Sequence, residues 1–423
     1  VEPSGGAQTG PPLEPTSRSE RIATLDILRG FALLGILLVN LELFFGSYYA
    51  YVLNDLPTAP LDLWTKRFIQ FFAEGKFYSI FAFLFGMGMA IFQSRSQAKG
   101  IRFVPIYSRR LLVLLGFGLV HAFFLWTGDI LIIYSVLGFI ILFLFRNRRP
   151  RTLLVWAAIF LTVPILINGG SAGLMALGSA SPEGAAMIDE VLQQQVTQYE
   201  ALRAQADAVY STGTWLEVTA QRTRDMGFVA TLLPFIGFNV LAMMLAGFAA
   251  GRAGIQNRLD ELRPQLRRAM LWGFIIGVIG NALYVYFAGA SSRVELSLTT
   301  FISTTGQTLG APALAIFYMS ALTLATLQPP GSVRALPMAA AGRMAITNYL
   351  AQSLLLTTVA YGYGFGLYGL RAAWYIPIAL GLWLLQLGFS SWWLRRFQFG
   401  PVEWFWRVLT YWRAEPFRKA QAA

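Results

Sequence analysis

His121 is the only histidine in the chain, and it sits in the run GLVHAFFLWTGDILIIYSVLG, where Asp129 follows eight positions later beside Gly128 at an apparent hairpin tip. An imidazole whose one nitrogen is oriented by a carboxylate can use the other to take a proton from a hydroxyl or amine, which is general-base chemistry. Asp129, or Glu74 near the outer end of another apolar run, would supply that carboxylate. The plainer alternative is a histidine hydrogen-bonded to a neighbouring helix, but an ionisable group at membrane depth is costly and points to function.

A second set of residues suits phosphate chemistry or ion pairing. Asp26 and Arg29 are three apart, hence on one helical face, and form either a structural ion pair or part of a site. Arg343 and Thr347 are four apart, as are Asn348 and Gln352, giving two polar lines on one helix. Arg343, near an inner boundary, can bind a phosphate or pyrophosphate. Asn348 is grouped with it as a donor-binding candidate, although interhelical hydrogen bonding is the simpler account of an Asn and a Gln in a membrane.

The elements that position these residues follow from composition. With 56% apolar and 13% charged residues, the chain reads as an all-α, polytopic helical membrane protein. The net charge of +12 is spread in short clusters between apolar runs, which excludes a nucleic-acid-binding surface and makes the charge topological. Zero cysteines exclude disulfides and thiolate chemistry, and one histidine argues against a metal site.

Residues 1–20, rich in Pro, Gly and Ser, read as a disordered tail. Apolar runs of near-membrane length then predict about ten spans. They cover residues 22–45, 68–92, 107–126, 130–145, 153–175, 228–250, 269–288, 309–327, 338–361 and 373–394. Five spans thus fall in 21–175 and five in 228–397, flanking an outer segment 176–227 and followed by a tail, 398–423. Arginine-rich connections after the second, fourth and sixth spans put both termini in the cytoplasm.

The outer segment carries apolar residues at helical spacing from Ile188 to Val209 and predicts an amphipathic helix over the outer mouth. Lys76 is expected to snorkel to the interface. The Thr-rich stretch before Pro312 is expected to be an outer loop or a re-entrant piece, because it would not face lipid. FGPVEWFWRVLTYWR, with its tryptophans and arginines, predicts an interfacial anchoring helix.

Four stretches in order, RIATLDILRGFALLGILLVN, the His121 hairpin, AGRMAITNYLAQS and FGPVEWFWR, give the chain a resemblance to the YeiB-like family of bacterial inner-membrane proteins. That family resembles in turn the transmembrane acyltransferase superfamily. The resemblance implies a multi-pass protein of the inner membrane that takes an acyl group from a cytoplasmic acyl-CoA or acetyl-CoA to a glycan or lipid acceptor. It further implies that Asp26 and Arg29 belong to an opening Asp-x-x-Arg-Gly element and that His121 is catalytic.

Depth along the helices separates these residues. Asp26 and Arg29 fall about 6 to 10 Å from the inner end, whereas His121 falls roughly 20 Å in. Two stations are therefore expected: an inner one of Asp26, Arg29, Arg343 and Asn348 for a donor's phosphates, and an outer one of His121 with Glu74 or Asp129 for transfer. Membrane lipids are expected partners, nucleic acid is not, and self-association stays open. The rival function is a transporter or lipid translocator in which the same residues form a polar route.

Overall fold

Long apolar runs interrupted by short basic connections fold as helices, because only a helix satisfies its backbone polar groups within hydrocarbon. The computed structural model describes residues 23–54, 56–289, 296–329 and 331–419, and the tail expected over 1–20 lies outside them. The described residues contain no β-strand. In chain order the helices are α1 (Ala23–Phe44), α2 (Tyr48–Leu53), α3 (Pro60–Phe72), α4 (Lys76–Ala98), α5 (Phe103–Val120), α6 (Leu131–Ile140), α7 (Pro150–Gly178) and α8 (Pro182–Thr212). They continue with α9 (Trp215–Arg252), α10 (Arg263–Ala288), α11 (Leu298–Thr326), α12 (Gly331–Arg334), α13 (Leu336–Arg343), α14 (Ala345–Ala360), α15 (Tyr375–Arg396) and α16 (Pro401–Tyr411). The protein is an all-α polytopic membrane protein, with 8 described helical segments long and apolar enough to cross a bilayer.

The expectation of about ten spans differs from those eight at two places. The fourth predicted span is a shorter apolar segment, Leu131–Phe145. The ninth is divided: Met344 leaves helical geometry (φ −113, ψ 31) and separates α13 from a 16-residue α14. Both exceptions belong to the candidate site.

Among the close helix crossings of the bundle, two bear on the residues expected from sequence. A Cβ on Gly30 would strike the Met338 carbonyl and one on Gly342 the Asp26 carbonyl, so α1 and α13 cross backbone against backbone. This contact sets Arg29 beside the end of α13 that carries Arg343. The second crossing joins α10 to α11, where Gly280 meets Gly306 and Gly310. It makes the Thr-rich stretch part of one regular helix, α11, rather than a loop or re-entrant piece. Packing on small residues keeps its hydroxyls off lipid, and Ser303 donates to the Tyr284 carbonyl at 3.3 Å.

Within the segment 176–227, the stretch with helical spacing from Ile188 to Val209 is helical, as α8, between the end of α7 at Gly178 and the start of α9 at Trp215. The end of α8 is docked: Tyr210 donates to Asp225 at 2.6 Å, and its carbonyl accepts from the Gly362 amide at 2.9 Å. Lys76 does not snorkel. It is fully buried at the start of α4, with Nζ donating to the Gln70 carbonyl at 2.7 Å.

Candidate active site

The α5 helix ends in a π-helical turn, His121–Leu125, in which the Trp126 amide bonds the His121 carbonyl at 2.8 Å. Such a turn inserts one residue into the helical repeat and redirects the side chains around it. The chain then reverses through Thr127 and Gly128, where a Cβ would meet the Trp126 ring. Asp129 comes to the start of α6, and its Oδ1 accepts the Ile132 amide at 2.7 Å. This bond satisfies one of the amides that every helix start leaves unpaired, and it fixes the carboxylate.

The other oxygen of Asp129, Oδ2, lies 2.7 Å from His121 Nδ1. On the far side of the ring, Nε2 lies 2.8 Å from the hydroxyl of Ser353 on α14. A carboxylate only accepts, so Nδ1 carries the proton; in the neutral imidazole Nε2 is then left to accept from the Ser353 hydroxyl, which at 2.8 Å is nearer to Nε2 than to its other acceptor, the Tyr349 carbonyl at 3.4 Å. His121 is 1% and Ser353 0% exposed, so bulk water does not compete for these bonds. The arrangement is a Ser–His–Asp relay, a constellation identified by geometry and roles rather than by fold. Ser353 follows Tyr349 by four residues on one face of α14, and the Tyr349 ring packs on the imidazole at 4.9 Å between centroids. Its hydroxyl donates to the Gly128 carbonyl at 3.2 Å, tying α14 to the hairpin.

Tyr349 and Ile130 also form the inner wall of a cavity of roughly 390 Å³, within the usual range of ligand pockets. One stripe of α1, Asp26, Arg29, Leu33 and Ile36, lines it along about 15 Å, as the rise of a helix gives for ten residues. A stripe of α4, from Arg95 back to Phe81, lines it opposite. Both stripes grade from charged at the end where the basic connections meet to apolar at depth. Arg29, Arg95, Arg110, Arg343 and Arg407 stand around the cavity, with Asp26 and Glu403 as its acidic members. Arg29 is paired with Asp26 at 2.7 Å, and Arg343 donates to the Gln398 carbonyl at 3.2 Å.

The C-terminal helix α16 closes this end instead of serving only as an anchor. Arg110 lies 3.7 Å from the Trp406 ring centre, and the Trp406 indole donates to the Arg110 carbonyl at 3.0 Å. Glu403 accepts the Ile346 and Thr347 amides at 2.8 and 3.0 Å, capping the N-terminus of α14 from another element. Burial pushes its carboxyl above the ordinary glutamate range, while the bonds from Thr347 and Ile346 pull the other way.

Of the residues expected from sequence, His121 and Asp129 are brought together, and Asp26, Arg29 and Arg343 line one cavity, from which the Tyr349 ring separates the histidine. The two stations do not touch each other, as their depths required. Glu74 is elsewhere. It accepts from Tyr51 at 2.5 Å, Tyr284 at 2.7 Å and Gln307 at 3.2 Å, tying the α3–α4 turn to α10 and α11, and it does not orient His121. Asn348 is turned away from the cavity: its amide donates to the Ala341 carbonyl and to Ser390 at 3.1 and 3.0 Å, which is helix packing. Sequence reading missed Ser353, Tyr349 and Glu403. The first two lie on the polar helix already singled out, but nothing in their spacing connects them to a histidine 232 and 228 positions earlier.

Comparison with known proteins finds relatives over nearly the whole chain. Residues 250–413 match the family model described as a protein of unknown function, DUF418. The chain is 35% identical to the uncharacterized protein YxaH of Bacillus subtilis, covering 96% of this chain and 98% of the relative. It is 34% identical to the uncharacterized protein YeiB of Escherichia coli, covering 94% and 98%. It is 29% identical to an uncharacterized 39.9 kDa protein encoded in the amylase 3′ region of Bacillus acidopullulyticus, covering 96% and 98%. These relatives match over 94–96% of the chain at more than 30% identity in two cases, and the chain therefore belongs to the YeiB-like family, with the DUF418 domain in its C-terminal part.

Proposed function

We propose that this protein is a membrane-embedded acyltransferase of the bacterial inner membrane, moving an acyl group from a cytoplasmic acyl-CoA to a hydroxyl or amine acceptor at the outer side. The observation that carries this reading is one cavity with arginines around one end and an apolar interior, closed at depth by Tyr349 and Ile130 against the Ser353–His121–Asp129 relay. Arginine is the residue of choice for phosphate groups, and a donor with phosphates at one end and an acyl thioester at the other matches the gradient from charged to apolar. In this reading Arg29, Arg110 and Arg343 hold the phosphates, the apolar stripes guide the acyl arm, and His121 takes the proton of the attacking group while Asp129 stabilises the imidazolium.

In the rival reading, translocation of an anionic lipid draws on the same cavity and His121 carries a proton or binds the headgroup, with no acyl group transferred. The two readings separate on purified protein in nanodiscs supplied with acetyl-CoA and a mixture of glycan and lipid acceptors. Saturable CoA binding, acceptor-dependent CoA release and loss of that release in His121→Ala are expected. Absence of acetyl-CoA binding would sink the acyltransferase reading in favour of lipid movement.

A further inference from the structure

From the position of its hydroxyl on His121 Nε2, we infer that Ser353 is the nucleophile of a two-step transfer and carries the acyl group as an ester between donor and acceptor. The inference rests on the acyltransferase reading and goes beyond it, since general-base catalysis by His121 alone requires no serine.

Three observations carry it. The Ser353 hydroxyl is 2.8 Å from Nε2, the nitrogen left free to take a proton by the Asp129 contact on Nδ1 at 2.7 Å. Ala345 and Tyr349 of α14 line the cavity, and Ser353 follows at the same spacing one turn beyond Tyr349, buried behind its ring. Finally, it is wholly buried, so an ester formed there is shielded from hydrolysis by bulk water. The Tyr349 ring stands between cavity and relay, so admission of the thioester carbonyl requires that ring to leave the imidazole and its hydroxyl to release the Gly128 carbonyl.

The Ser353 hydroxyl gives its proton to His121 Nε2 as Oγ attacks the thioester carbonyl. The carbon–sulfur bond breaks, and the leaving thiolate takes the proton from His121 and departs as free thiol. An acceptor hydroxyl or amine then gives a proton to Nε2 and attacks the ester carbonyl. The bond to Oγ breaks, and Oγ recovers the proton from His121. Ser353 lies about 12 Å along α14 from its first residue, as eight helical rises give, so the ester would be held inside the membrane, away from the charged end of the cavity.

The test uses full-length protein in nanodiscs with acetyl-CoA and decanoyl-CoA, first without acceptor and then with the mixed glycan and lipid acceptors. Expected are a burst of CoA release approaching one equivalent per protein and a matching acyl mass on the peptide containing Ser353. In Ser353→Ala both are lost while acetyl-CoA binding persists. In Ser353→Cys the adduct becomes a thioester cleaved by neutral hydroxylamine, which shows that a folded variant with a different nucleophile still receives the group. Acceptor-dependent turnover retained in Ser353→Ala, with no adduct on the native protein, would overturn the inference and leave direct transfer with His121 as base. Failure of both thioesters to bind would overturn it together with the acyltransferase reading, and the binding measurement tells these two failures apart.

Discussion

Glu403 on α16 and Thr347 on α14 are joined twice: the Thr347 amide and its hydroxyl donate to the two carboxylate oxygens at 3.0 and 2.5 Å. The break at Met344 creates a helix start inside the protein, and a residue 56 positions downstream supplies its cap. The helix that carries Tyr349 and Ser353 thus depends on the C-terminal segment for its position. Removing the carboxyl in Glu403→Ala is expected to cost about 0.5–2 kcal/mol, the usual worth of a cap, seen as a lower Tm in detergent. Glu403→Gln, which keeps one acceptor oxygen, is expected to lose less.

The same residue has a pH signature. Its carboxyl is raised by burial, so the folded state favours the protonated form more than the unfolded chain does. The stability this contributes is fully present below the ordinary glutamate range and is lost as pH rises through the higher folded value. Relative to Glu403→Gln, the native protein should lose Tm on going from acidic to neutral buffer. Parallel Tm profiles for the two proteins would refute this.

Asp129→Asn removes the acceptor that sets the His121 tautomer while keeping the residue's size. Acyl transfer should fall by about 10²–10⁴-fold with acetyl-CoA affinity unchanged, measured as CoA release against equilibrium binding. A comparable loss of binding would instead mean that the hairpin had collapsed.

The arginines at the charged end should act on the donor and not on the chemical step. Arg29→Ala is expected to raise KM for acetyl-CoA by about 10-fold or more, as loss of a charged hydrogen bond does, and to leave kcat near the native value. Equal losses in kcat and kcat/KM would instead place Arg29 in the transition state.

Glu74→Gln separates packing from chemistry. Its partners are Tyr51, Tyr284 and Gln307, so a lower Tm with specific activity within about twofold of native is expected. A loss of transfer as deep as that of Asp129→Asn would restore Glu74 to the site.

Gly30→Leu should prevent the approach of α1 to α13, since even a Cβ at that position meets the Met338 carbonyl. Overpacking of this kind costs about 1–3 kcal/mol or more. The variant is expected to lose donor binding along with Tm, because the same crossing sets Arg29 beside Arg343.

What the amino-acid sequence determined alone are the properties that depend on neighbours along one chain. Apolar runs and basic connections specified an all-α membrane protein, because hydrocarbon demands internally bonded helices and each run carries its own length. Asp129 was within reach of His121 because they lie eight positions apart on one hairpin, and Asp26 with Arg29 shared a face because they are three apart. Tertiary structure decided the rest. Ser353 meets His121 across 232 positions, and Glu403 reaches Thr347 across 56. Glu74 looked equivalent to Asp129 by depth and is held by α10 and α11 instead, since depth fixes a residue's height in the bilayer but not which helix it faces. The Thr-rich part of α11 read as too polar for a span, yet glycines on α10 let it bury that polarity against a helix. Periodicity records which face of a helix is apolar or polar. Only the packing of one helix on another decides which polar face meets which, and in this protein that choice assembles the relay.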